Sequence, residues 1–141
     1  MIYRKPTFDD VETIYQMVYD YAQEGAMLAR SRNALYETLR DMVVAEEDGR
    51  IVGVILAGHD GRRGYIYHMS VAEDRRHRGI GRELVSRSLS ALKAEGINKV
   101  ALLVFHRNEV GNAFWESQGF TVREDVAYRN KLLTELVRID T

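Results

Sequence analysis

Between residues 65 and 105 the spacing of apolar residues changes period twice, and this limits the chain to folds that lay helices on a sheet. Tyr65-Ile66-Tyr67-His68-Met69-Ser70-Val71 has the aromatic and β-branched character of a strand. A polar loop from Ala72 to Arg78 follows. Leu84, Val85, Ser88, Leu89 and Leu92 then share one face of a helix from about Gly79 to Ala94, which Gly96 can end. Lys99 to Phe105 is apolar again and reads as a strand. Alternation of this kind belongs to the α/β class.

The flanking segments extend the pattern. Ile2 to Arg4 reads as a short strand closed by Pro6, which cannot donate to a ladder. Thr7 caps a helix with Asp9 and Asp10 in its first turn, carrying Val11, Ile14, Tyr15, Val18 and Ala22 at helical spacing and ending near Gly25. Ser31 can cap a second helix with Leu35, Leu39 and Met42 on one face. Val43 to Glu47 and Arg50 to Leu56 flank Asp48-Gly49, a strong hairpin signal because both turn positions need positive φ. A last helix from about Glu109 to Ser117 precedes two final strands, Phe120 to Arg123 and Val126 to Lys131. The expected fold is α/β, a mixed central sheet flanked by helices, in the order β-α-α-β-β-β-α-β-α-β-β, with residues 1–141 as a single domain.

Composition excludes several chemistries. With no cysteine, the chain can form no disulfide, cysteine–zinc site or thiol nucleophile. Its 20 Lys and Arg against 21 Asp and Glu give a formal net charge of −1, which argues against a broad basic face for nucleic acid. The longest apolar run, Ile51 to Gly58, is far short of the ~20 residues that a spanning helix needs. No membrane partner and a cytoplasmic location are therefore expected, as is the absence of a metal.

The segment with chemical content runs from Val71 to Arg82. Residues 75–82 hold four arginines, one histidine and no acid, directly before a helix. The first amides of a helix lack intrahelical acceptors and, with the dipole, form an anion site. Gly79 and Gly81 let a phosphate approach the backbone without a Cβ in the way. The dinucleotide fingerprint fails because its third glycine position is Leu84, and no Walker Gly-Lys-Ser/Thr is present. The plainer reading is a glycine turn beside solvated arginines.

Arg76-His77-Arg78-Gly79-Ile80-Gly81 resembles the Arg/Gln-x-x-Gly-x-Gly/Ala motif of the GNAT superfamily of N-acetyltransferases. Asn108, followed after six residues by Trp115-Glu116-Ser117-Gln118-Gly119-Phe120, is similar to a second segment of that family, and the element order is also the family's. The resemblance implies acetyl-CoA as acyl donor. It implies that Met69, Ser70 and Val71 offer backbone groups to the pantetheine arm, where the strand splays from its neighbour. It further implies that Arg76, His77, Arg78, Gly79, Ile80, Gly81 and Arg82 form the pyrophosphate loop, and that Asn108 approaches the pantetheine region.

The implied reaction is direct attack of a neutral amine on the thioester. The family's tyrosine acid is replaced by Trp115, whose indole N–H is no useful proton source, and the glutamate base of ribosomal-protein alanine acetyltransferases by Leu103. Alternation places Tyr65, Tyr67, Met69 and Val71 on one strand face and Ile66, His68 and Ser70 on the other. Tyr65, Tyr67 and His68 are the substitute catalytic candidates, although tyrosines also suit an amphipathic strand surface. His106 is a weaker candidate, and His59 reads as a solvated loop residue.

Residues Gln23 to Tyr36 are similar to the same region in the acetyltransferase domain of N-acetylglutamate synthases. On that likeness Arg30 or Arg32 can grip an α-carboxylate, the alternative being a solvated basic pair at a helix start. The expected acceptor is a small-molecule amine or amino acid. Two other readings stay open: acetylation of a protein N-terminus or lysine, and a catalytically weak acyl-CoA sensor. Members of the family often dimerise, so the resemblance also implies a homodimer.

Overall fold

The computed structural model describes residues 1–18 and 41–135. They fall into two compact units, one of residues 1–18 with 41–102 and the other of residues 103–135. The first unit contains β1 (Ile2–Arg4), a 3-10 turn (Phe8–Asp10), α1 (Val11–Val18), β2 (Met42–Glu47), β3 (Arg50–His59), β4 (Gly64–Val71), a second 3-10 turn (Glu73–Arg75), α2 (Ile80–Ala94) and β5 (Val100–Leu102). The second carries α3 (Glu109–Ser117).

The five strands form one sheet in the order β1-β2-β3-β4-β5. The first four are antiparallel and β5 runs parallel to β4, so the sheet is mixed as expected. Asp48 and Gly49 both take positive φ, 52° and 75°, in the β2–β3 hairpin.

Each face of the sheet is covered by a helix. Val11, Ile14 and Tyr15 of α1 pack with Met42, Val44 and Val54, which are all buried. On the other face a Cβ at Gly53 would lie 3.0 Å from Ile80 and 3.1 Å from Leu84 of α2. Glycine there lets the helix lie close on β3, with Leu84 and Val85 fully buried.

Three expectations change. The second helix falls almost wholly on residues outside those described, and Met42, expected on its face, opens β2 instead. The strand expected over residues 99–105 is only Val100–Leu102. Residues 120–123 and 126–131 form no strand. Strand propensity does not persist without a ladder partner, and none is present for them among the described residues. Instead the Arg123 guanidinium donates to Asp125 at 2.7 and 2.6 Å across a local bend, and Val122, Val126 and Tyr128 stay exposed.

Candidate functional site

The site begins where β4 loses one neighbour. Its ladder to β5 ends at Ile66↔Leu102, and from His68 to Val71 it is paired, among the described residues, with β3 alone. Ala72 N–H donates to the Val52 carbonyl at 2.8 Å, which fixes which way the backbone alternates. Ser70 directs its N–H and carbonyl toward β3, whereas Met69 and Val71 direct theirs to the open edge. The Val71 carbonyl is taken there by Arg76 Nε at 3.1 Å.

Beyond β4 the chain makes the Glu73–Arg75 turn, Arg76 is extended, and His77 and Gly79 take left-handed φ of 64° and 82°. Gly79 is the N-cap of α2 and offers no side-chain cap; its carbonyl accepts from Glu83 N–H at 3.1 Å. The amides of Ile80, Gly81 and Arg82 thus stand at the bare, positive end of a helix of 15 residues.

The four arginines divide into two pairs. Arg75 is held by Glu47 (2.8 Å) and Asp74 (2.9 Å), and Asp74 is also gripped by Arg50 through two bonds of 3.0 and 3.1 Å. Arg50, foremost, holds the Asp74 carboxyl below its ordinary range. Arg76 is tied to backbone. Arg78 and Arg82 are exposed and have no carboxylate partner among the described residues. A Cβ at Gly79 would lie 3.6 Å from an Arg82 guanidinium nitrogen, so that cation sits beside the glycine. Backbone amides and two uncommitted guanidinium groups can accept a polyanion here.

A bulge alters the expected strand faces. Leu56 pairs with His68 and Ala57 with Ile66, leaving Tyr67 as the extra residue. His68 and Ser70 therefore share a face with Tyr65, the face toward Val54 and Leu56, while Met69 and Val71 join Ile66 on the α2 face. Tyr67 is 61% exposed and its ring lies 5.0 Å from that of Tyr65. The sequence carries no mark of the bulge, because its residues alternate through Tyr67 without interruption.

Asn108 belongs to the second unit, where its Oδ1 accepts from Gly111 N–H at 2.8 Å as the cap of α3. Trp115 packs edge-on against Phe114 and Phe120 in the same unit. Arg30 and Arg32 lie outside the described residues. His59 is no simple solvated residue: its Nδ1 accepts from Gly61 N–H and its Nε2 faces Glu95 at 2.9 Å. The Arg50–Asp74–Arg75–Glu47 cluster was not legible, since nothing in the sequence joins residues so far apart.

A strand with one open edge that runs into an uncapped helix start defines a domain suited to a phosphate-bearing ligand laid along a strand. The chain matches the acetyltransferase (GNAT) family over residues 8–120 and belongs to it. It is thus an N-acetyltransferase by family. An uncharacterized N-acetyltransferase of Chlorobaculum tepidum is 30% identical over 130 residues, 92% of this chain and 81% of that protein. An aminoglycoside 6'-N-acetyltransferase of Acinetobacter haemolyticus shares the fold with a TM-score of 0.75 at 16% identity, covering 95% of this chain and 100% of the other. A Mycobacterium tuberculosis protein solved with CoA superposes with a TM-score of 0.70 at 24% identity, covering 90% and 76%. The comparisons do not bring out the likeness to N-acetylglutamate synthases.

Proposed function

We propose that residues 1–141 form one acetyl-CoA-dependent N-acetyltransferase domain that acetylates a primary amine of a small molecule. The observation that carries this reading is the uncapped start of α2, reached through left-handed His77 and Gly79, beside the open edge of β4. Its three phosphate-facing elements are backbone amides, Arg78 and Arg82. In this assignment the diphosphate of acetyl-CoA rests on residues 77–82, and Met69 and Val71 bind the pantetheine arm with their outward backbone groups. Arg76 acts by fixing the Val71 carbonyl. Asn108 is assigned to the pantetheine region on the family resemblance alone.

Acetyl-CoA supplies the activated acyl group. The chain orients the thioester along β4, and a well-aligned amine is thereby relieved of several kcal/mol of entropic barrier. An outward N–H of Met69 or Val71 donates to the developing oxyanion, worth roughly 2.7–4 kcal/mol. Tyr67 or Tyr65 protonates the departing thiolate, and His68 on the Tyr65 face is the candidate base for the amine. Arg30 or Arg32 holds an acceptor carboxylate. The Acinetobacter neighbour acts on an aminoglycoside, which supports a small polar amine as acceptor. We further propose a cytoplasmic homodimer.

A second reading, an acyl-CoA sensor, is favoured by Trp115, which packs with aromatic rings where the family places its tyrosine acid. Thiol release from acetyl-CoA across a panel of amino acids, aminoglycosides and polyamines decides between them. Turnover with at least one small amine supports the enzyme. Tight coenzyme binding without turnover on any amine supports the sensor.

A further inference from the structure

We propose that Asp74 is a positioning residue for the loop 76–82; this rests on the coenzyme A reading above. Its carboxylate accepts three hydrogen bonds from two guanidinium groups. Both oxygens meet Arg50 in a two-bond fork at 3.0 and 3.1 Å, and one also meets Arg75 at 2.9 Å. Arg75 continues to Glu47 at 2.8 Å. Glu47 and Arg50 flank the tight Asp48-Gly49 turn, whose positive φ values match the twist of the two strands it joins. The four charges therefore bolt the Glu73–Arg75 turn to a fixed part of the sheet.

The following residues need such an anchor. Beyond Arg76, His77 holds a left-handed φ that costs a residue with a Cβ free energy, and the helix ladder opens with Glu83 N–H on the Gly79 carbonyl. An anchored entrance keeps that conformation populated before the ligand arrives, so less ordering is left to binding.

The sign of the effect separates positioning from charge. Asp74 is an anion beside a seat for an anion. If it acted through its field alone, Asp74→Asn would tighten coenzyme A binding. If it positions the loop, the same change weakens binding. Titration calorimetry of the full chain with coenzyme A should show Asp74→Asn binding about fivefold more weakly than wild type at low salt, the scale of an exposed but two-pronged ion pair. The difference should shrink in high salt. Glu47→Gln, which also removes a negative charge, should weaken binding in the same direction, and it serves if Asp74→Asn fails to fold. Exchanging the partners, Arg50→Asp with Asp74→Arg, should recover part of the loss. Unchanged or tighter binding by Asp74→Asn, beside a wild type that binds, overturns this inference and spares the coenzyme reading. A wild type that does not bind coenzyme A overturns both.

Discussion

At single residues, the site and the core depend on a few positions where a side chain is wrong or indispensable. Gly79 has φ 82°, where a Cβ costs roughly 1–2 kcal/mol, and it borders the phosphate seat. Gly79→Glu adds a negative charge to that strain and should weaken coenzyme A binding at least tenfold by calorimetry. Gly53 is the counterpart in the core. Gly53→Val drives methyl groups into Ile80 and Leu84, already 3.0 and 3.1 Å from a Cβ, and should cost about 1–3 kcal/mol in a urea melt. Tyr67→Phe keeps the ring against Tyr65 and removes only the hydroxyl. If that group is the acid, kcat should fall about a hundredfold while the KM for acetyl-CoA stays near wild type. The glycine motif and the tyrosines were legible from residue type alone. The bulge that moves His68 and Ser70 to the Tyr65 face was not, because it arises from register against β3.

Elements are held by ties that join distant parts of the sequence. Arg4 on β1 donates to Asp10 at 2.7 Å and to Glu46 of β2 at 2.8 Å, pinning the start of the first helical stretch to the sheet. The Arg4 bond, the largest cause, holds the Asp10 carboxyl below its ordinary range. A depressed folded-state value means the stabilisation is fully present above the ordinary carboxylate range and is lost as pH falls through the folded value. Asp10→Asn should therefore lower stability by about 1–2 kcal/mol near neutrality, and the gap to wild type should close in acid. Melting curves at several pH values check this. Periodicity gave α2, α3 and the hairpin nearly to the residue, because a buried stripe or a paired turn leaves a local pattern. The strands expected over residues 120–123 and 126–131 did not form: their apolar residues match a strand pattern, but a strand is made by its partner.

For the molecule as a whole, net charge −1 provides no general attraction for an anionic coenzyme, so binding must arise at the loop itself. Binding to the folded state alone adds RT ln(1 + [L]/Kd), about 2.7 kcal/mol at a hundredfold excess over Kd. For a chain of this size that should raise the melting temperature by roughly 5–10 °C, and Gly79→Glu should cut the rise by about half or more at the same concentration. The family was legible because two short motifs and the order of elements agree, and a match over residues 8–120 bears this out. The acceptor was not, since no local pattern specifies the shape of a pocket. The most direct measurement is a titration of isotope-labelled protein with coenzyme A, following the backbone amide resonances. The largest shifts are expected at His77 to Arg82, with smaller ones at Met69 and Val71. Saturable binding that leaves the amides of Gly79, Ile80 and Gly81 unmoved would contradict it.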